Sequence, residues 1–218
     1  MPFQTSGVSS THTYSGNSEI NFFLNDEDGL TVTIETERLY IKSVTDSKQD
    51  LDSYVSLYGD SRVMEKFGTG ETETREEMET HIKNVWAKRW EQKDPYSALV
   101  VRTQDTDEFV GNAILGHGDF PGESEFAHLY KENHWDKGFG SEVAMAVVRE
   151  YAPATVKEGY TLEGKPLRSI SSTVRLDNLA SIKILKKAGM TKTKEKQIYG
   201  APRAYYSINL SKIPKWMK

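Results

Sequence analysis

Apolar and polar positions alternate first over residues 38–44, where Leu39 and Ile41 fall on one side of an extended segment and predict a strand. Leu51, Tyr54, Val55 and Tyr58 then recur at helical spacing within residues 46–58. Thr74-Arg75-Glu76-Glu77 has the form of a capping box, and the stripe Met78, Ile82, Val85, Trp86 and Trp90 extends it into a long amphipathic helix ended by Asp94-Pro95. Two β-rich runs, 96–102 and 109–115, flank a polar turn and predict an antiparallel hairpin. A third run follows at 125–130. Val143, Ala144, Val147, Val148 and Tyr151 mark a helix that Pro153 is expected to stop, with an irregular insertion at 154–166. A short strand at 170–174, a helix at 178–188 ended by Gly189, and a closing hairpin of runs 191–199 and 203–210 complete the chain. This order predicts an α/β chain: a mixed, mostly antiparallel central sheet with helices on both faces, rather than a doubly wound parallel sheet.

Upstream of that pattern the first 18 residues hold five Ser, three Thr and two Gly, a composition too polar to repay the entropy of ordering. Regular structure is expected from about residue 32, which divides the chain into a flexible acidic arm, 1–33, and one domain, 34–218. The apolar clump Ile20, Phe22, Phe23 and Leu24 is the exception, a segment that reads as an ordinary packed arm or as one able to dock on the body or on a second subunit.

Composition narrows the chemistry. The 218 residues are 37% hydrophobic and contain no cysteine, so a core is affordable while thiolate zinc sites and cysteine nucleophiles are excluded. The five histidines include no pair at metal-ligand spacing, and no metal is expected. Neither a signal peptide nor a run of 18 apolar residues is visible, which points to a cytoplasmic protein, monomer or homodimer, with no membrane partner. With 28 basic and 32 acidic side chains the net charge is -4, giving no basis for direct nucleic-acid binding. Residues 1–33 carry Glu19, Asp26, Glu27 and Asp28 and no base, so the body is neutral; such an arm reads either as a solubility tail or as a cover that draws cationic acceptors.

Chemistry concentrates in Trp135-Asp136-Lys137-Gly138-Phe139-Gly140-Ser141, a glycine-bearing turn between a strand and a helix, where free helix amides favour an anion. Alone it reads more readily as a structural turn. It lacks the GK[ST] of a Walker loop and the third glycine of a dinucleotide fingerprint.

Three motifs in order make the chain resemble the GNAT family of acetyl-CoA-dependent N-acetyltransferases, in its RimJ/RimL-like branch of ribosomal-protein N-terminal acetyltransferases. They are Thr36-Glu37-Arg38-Leu39, the acidic strand of Glu125 followed by the turn from Trp135 to Gly140, and the helix from Asn178 through Ser181 and Leu185 to Gly189. The resemblance spans about residues 34–211. It implies a GNAT-like acyltransferase fold with acetyl-CoA as cosubstrate. Trp135 opens the pyrophosphate turn; the backbone of Lys137, Gly138, Phe139, Gly140 and Ser141 holds the pyrophosphate, helped by the Lys137 charge and Ser141 hydroxyl. Leu129 and Tyr130 pair with the pantetheine arm, which Asn178 also contacts, unless Asn178 is only a helix cap.

For catalysis the resemblance offers Glu125 as general base, against the plain reading of a solvated edge charge, with His128 as the weaker base on the opposite strand face. Ser181 stands as proton donor to the departing thiolate, against an ordinary first-turn serine; Tyr199, Tyr205 and Tyr206 are lesser donors. The acceptor is expected to be a primary amine, at a protein or peptide N-terminus or on a small molecule. The competing expectations are a catalytically idle acyl-CoA-binding or scaffold protein, and a nucleotide-binding regulatory domain.

Overall fold

The computed structural model describes residues 10–13, 18–25 and 29–212. Ten strands form one sheet: β1 (Ser10–Thr13), β2 (Glu19–Asn25), β3 (Gly29–Glu35), β4 (Leu39–Ser43), β5 (Ala98–Thr103), β6 (Phe109–His117), β7 (Glu123–Tyr130), β10 (Ser169–Arg175), β12 (Ala201–Asn209) and β11 (Thr191–Ile198), in that spatial order. Every pairing is antiparallel except β7 with β10. A separate two-stranded piece joins β8 (Thr161–Leu162) to β9 (Lys165–Pro166). The fold class is therefore the expected mixed α/β arrangement.

Helices cover both faces. On one lie α1 (Lys48–Tyr58), α2 (Ser61–Met64) and a continuous run made of α3 (Arg75–His81), a π-helical segment Ile82–Trp86 and α4 (Ala87–Glu91). The capping box is present: the Thr74 hydroxyl accepts from the Glu77 amide, and the Glu77 carboxylate accepts from the Thr74 amide at 2.8 Å. Met78, Ile82, Trp86 and Trp90 are buried along one stripe, and Trp86 packs on Tyr54 and Tyr58 of α1. On the opposite face lie α5 (Phe139–Ala144), a π-helical segment Met145–Tyr151, α6 (Ala152–Lys157) and α7 (Leu179–Lys187).

Pro153 does not stop this second run but sits in the first turn of α6. Inside a continuous run a proline gives up one backbone donor, and the π-helical register before it, in which the Ala152 amide reaches the Val147 carbonyl, accommodates the ring. The insertion expected to be irregular thus finishes α6 and then forms the β8–β9 hairpin, docked on Gly122 through the Leu162 carbonyl.

The larger departure is at the N-terminus. Among the described residues, regular structure begins at β1 rather than near residue 32. Of the arm expected to be flexible, β2 and β3 form a hairpin in register from Glu19↔Glu35 to Asn25↔Gly29; residues 1–9, 14–17 and 26–28 lie outside the described residues. Ile20 and Phe22 are 0% and 1% exposed, and the Phe22 ring stacks between Tyr151 and Tyr160 at 5.9 and 6.0 Å. The Ser-, Thr- and Gly-rich start suggested disorder, but the alternation of Ile20 and Phe22, continued by Leu30, Val32 and Ile34, buries one face and offsets the ordering entropy. The hairpin's outer strand β2 lies about 24 Å of sheet from β7, five strand spacings away. No helix among the described residues is long and apolar enough to cross a membrane.

If the hairpin is part of the core, Phe22→Ala should destabilise the protein by about 3–5 kcal/mol, as for other buried aromatic truncations. Urea unfolding followed by tryptophan fluorescence measures this, and a midpoint unmoved from wild type would make β2 dispensable.

Candidate active site

β7 and β10 run parallel for only three residue pairs, Ser169↔Glu123, Ile170↔Ser124 and Ser171↔Glu125. Beyond Glu125 they part, although β7 continues to Tyr130 and β10 to Arg175. A cavity of about 690 Å³ occupies the opening, lined by Ala127–Tyr130 on one side and Ser172–Val174 on the other, with the 134–141 turn and α7 above.

Which peptide groups face the opening follows from parity. The Gly118 amide donates to the Glu123 carbonyl and the Lys131 amide to the Val110 carbonyl, so the odd-numbered residues of β7 bond to β6. Even-numbered Phe126, His128 and Tyr130 turn their amides and carbonyls toward the gap. The expected Leu129 backbone contact is therefore corrected: its carbonyl oxygen faces Gly111, where an added Cβ would lie only 2.1 Å from it, and the partner on the gap side is His128. Tyr130 faces the gap, but its carbonyl already accepts from Trp135 Nε1 at 2.8 Å.

The turn is built for an exposed helix start. Gly138 caps α5 with φ +85°, a conformation that a Cβ penalises, while Gly140 packs so closely that a Cβ would sit 2.6 Å from Ile184 and 2.9 Å from the Tyr130 ring. Among the described residues the Phe139 and Gly140 amides have no acceptor. Trp135, Gly138, Phe139, Gly140 and Ser141 line the cavity together with Asn178 and Ser181; Lys137 does not. Asn178 is indeed a helix cap, accepting from the Ser181 amide at 3.1 Å, and it borders the cavity as well.

Two residues of this frame carry no local signal of their role. Arg38 donates to the Lys137 carbonyl at 3.0 Å and to Glu142 at 2.8 Å, and lies 4.7 Å over the Phe139 ring. Glu142 also accepts from the Thr36 hydroxyl at 2.6 Å and the Arg38 amide at 3.0 Å. The Thr36–Leu39 motif thus ties β4 to the turn; the motif was visible in sequence, its partner 104 residues away was not.

Glu125 and His128 take opposite faces of β7, as the alternation requires. The Glu125 side chain reaches solvent on the α1 face, yet partial burial, reinforced by Asp119 and opposed by Arg203, raises its pKa. His128 borders the cavity on the α5 face, its ring between Phe126 and Tyr130 at 5.5 and 5.3 Å, and burial pushes its pKa down to about 4, so the imidazole is neutral near pH 7. Tyr130 also lines the cavity with a buried hydroxyl that has no partner among the described residues. Tyr199, Tyr205 and Tyr206 do not border the cavity. No group of His, Asp or Glu among the described residues is arranged to hold a metal ion.

A family model described as Acetyltransferase (GNAT) domain matches residues 38–191. Among solved structures, the chain is similar to a GNAT-family acetyltransferase from Bacillus anthracis, with TM-score 0.64 and 21% identity over 81% of this chain and 98% of that one. It is also similar to ribosomal-protein-S5-alanine acetyltransferase from Vibrio fischeri, with TM-score 0.63 and 14% identity over 83% and 97%. The structure of AAC(6')-Ib in complex with ribostamycin and coenzyme A matches with TM-score 0.59 and 17% identity over 80% and 95%. At such identities these structures speak for the fold, while the family match runs from the Arg38 clamp through the parted strands and the glycine turn to the end of α7. The chain belongs to the GNAT acetyltransferase family and is an acetyl-CoA-dependent acetyltransferase.

Proposed function

We propose that this enzyme acetylates a primary amine, at a protein or peptide N-terminus or on a small molecule, by direct transfer with Glu125 as general base. The observation that carries the reading is the end of β7–β10 pairing at Glu125, which leaves sheet peptide groups unpaired beside a cavity and beneath a helix turn with free amides. Acetyl-CoA supplies an acetyl group activated as a thioester. The Phe139 and Gly140 amides and the Ser141 hydroxyl suit its diphosphate, and the gap-facing groups of Phe126 and His128 suit its amide-bearing arm.

The amine arrives protonated and must lose a proton before it can attack. Glu125 takes that proton, directly or through a water, because its raised pKa brings it closer to that of an amine than an ordinary carboxylate. As the N–C bond forms, the Phe126 or His128 amide donates to the carbonyl oxygen where negative charge develops. As the C–S bond breaks, the Ser181 hydroxyl at the cavity wall donates to the departing sulfur. His128 serves as a neutral wall of the cavity, since a group that protonates only near pH 4 is a poor sink for an ammonium proton.

Gly138→Val should weaken CoA binding by at least tenfold in calorimetry while the protein stays folded, because a Cβ there meets only Arg38 at 3.4 Å. Gly140→Val should instead lower the melting temperature, since Ile184 and Tyr130 block it. Unchanged CoA affinity in the Gly138 variant would remove the turn from the donor site.

Glu125→Gln should lower kcat by roughly 10²–10⁴ with acetyl-CoA affinity unchanged. In the wild type the rate should fall as pH drops through the raised Glu125 pKa, and this limb should vanish in the variant. If Glu125→Gln turns over normally while His128→Ala loses activity, the base is the histidine.

A further inference from the structure

The sheet face that carries Glu125 is electrostatically divided in a way that the neutral body charge conceals. Strand partners in register share a face, so Glu125↔Ser171, Arg175↔Arg203, Thr173↔Tyr205, Lys194↔Tyr205 and Lys196↔Arg203 place Glu125, Arg175, Arg203, Lys194 and Lys196 on one surface. Side-chain contacts agree: Lys194 Nζ lies 4.5 Å over the Tyr205 ring, and Arg203 Nη1 and Arg175 Nη1 donate to the Gly68 and Glu65 carbonyls of the segment after α2. At the β7 end stand Glu123, Glu125 and Asp119; from β10 outward the charges are positive.

Two of these four cations are uncompensated. Arg175 pairs with Asp177 and Arg203 feels the charge of Glu125, but Lys194 and Lys196 have no carboxylate partner among the described residues, while on the other face Lys192 is matched by Glu195. Arg203 is 4% exposed, borders the cavity, and spends only Nη1 on a hydrogen bond; its Nε is buried without an acceptor. A buried guanidinium with unused donors at the mouth of a cavity favours an oxygen-rich ligand.

We infer that the acceptor is the N-terminus of an acidic peptide, its α-amine at Glu125 and its following residues laid across β10, β12 and β11. This rests on the reading of Glu125 and the parted strands as the transfer site. Arg203 takes a carbonyl or carboxylate next to the amine, and Lys194 and Lys196 take acidic side chains farther along. From β7 to β11 is three strand spacings, about 14 Å, or about four extended residues, so the acidic positions fall a few residues behind the amine. A cationic acceptor would instead meet like charge beyond its first residue.

The test compares short peptides with a common first residue and acidic, neutral or basic continuations, labelled at the C-terminus. Their binding to the CoA-loaded enzyme is read by fluorescence anisotropy at low and high ionic strength, with thiol release from acetyl-CoA followed in parallel for the peptides and a small alkylamine. The acidic peptide should bind about tenfold more tightly than the neutral one at low salt, an advantage reduced by salt. Lys194→Glu with Lys196→Glu should abolish that advantage and leave the neutral peptide unaffected; the paired Gln variants, at exposed positions that do not threaten folding, should give an intermediate loss. An acidic peptide that binds no better than a neutral or basic one, or an advantage that survives the double charge reversal, would overturn the inference even if alkylamine turnover continues. Acidic preference in binding with no thiol release from any amine would uphold the surface and instead remove the reading of Glu125 as the transfer site.

Discussion

The short parallel contact between β7 and β10 governs the rest of the molecule's design. Three paired residues hold the two halves of the sheet together, and everything beyond Glu125 is given up to an opening. Unpaired sheet peptide groups are costly when buried and dry, so the gap is stable only because it is open to solvent or to a ligand rich in amides. The antiparallel partners on either side, β6 and β12, remain fully in register with β7 and β10, and keep the two strands rigid where they no longer support each other.

The opening is useful only if the helix start above it is held still, and that is the work of Arg38 and Glu142. Arg38 occupies the Lys137 carbonyl and the Glu142 carboxylate at once, while Glu142 collects the Thr36 hydroxyl and the Arg38 amide. A left-handed Gly138 is flexible in isolation; with the Lys137 carbonyl held by Arg38, the Phe139 and Gly140 amides are presented in one direction. Gly140 contributes from inside, letting Ile184 and Tyr130 close on the turn. The same tight packing seats α5 against α7 and sets the glycine turn beside Ser181.

The β1–β3 extension stabilises the sheet at its far edge and leaves the cavity untouched. Its buried face continues that of β4, and Tyr151, from the run that begins at the anion turn, stacks on Phe22 while its hydroxyl donates to the Pro95 carbonyl.

Much of this was legible along the chain. The Thr74 capping box, the Met78–Trp90 stripe, the closing hairpin and the glycine turn depend on residues within a few positions of one another, and local sterics and hydrogen bonding settle them before any tertiary contact forms. Ile20 and Phe22 show the limit of that reasoning: a polar composition suggested an arm, and only a neighbouring strand with a matching apolar face turned it into sheet. The choice of His128 over Leu129 as the gap-facing backbone, the bridge from Arg38 to Glu142 and the cationic track of Arg203, Lys194 and Lys196 were decided by tertiary structure alone, because each depends on strand pairing or on contacts between residues distant in sequence. Composition sums such charges to zero, and only the sheet register sorts them onto one face.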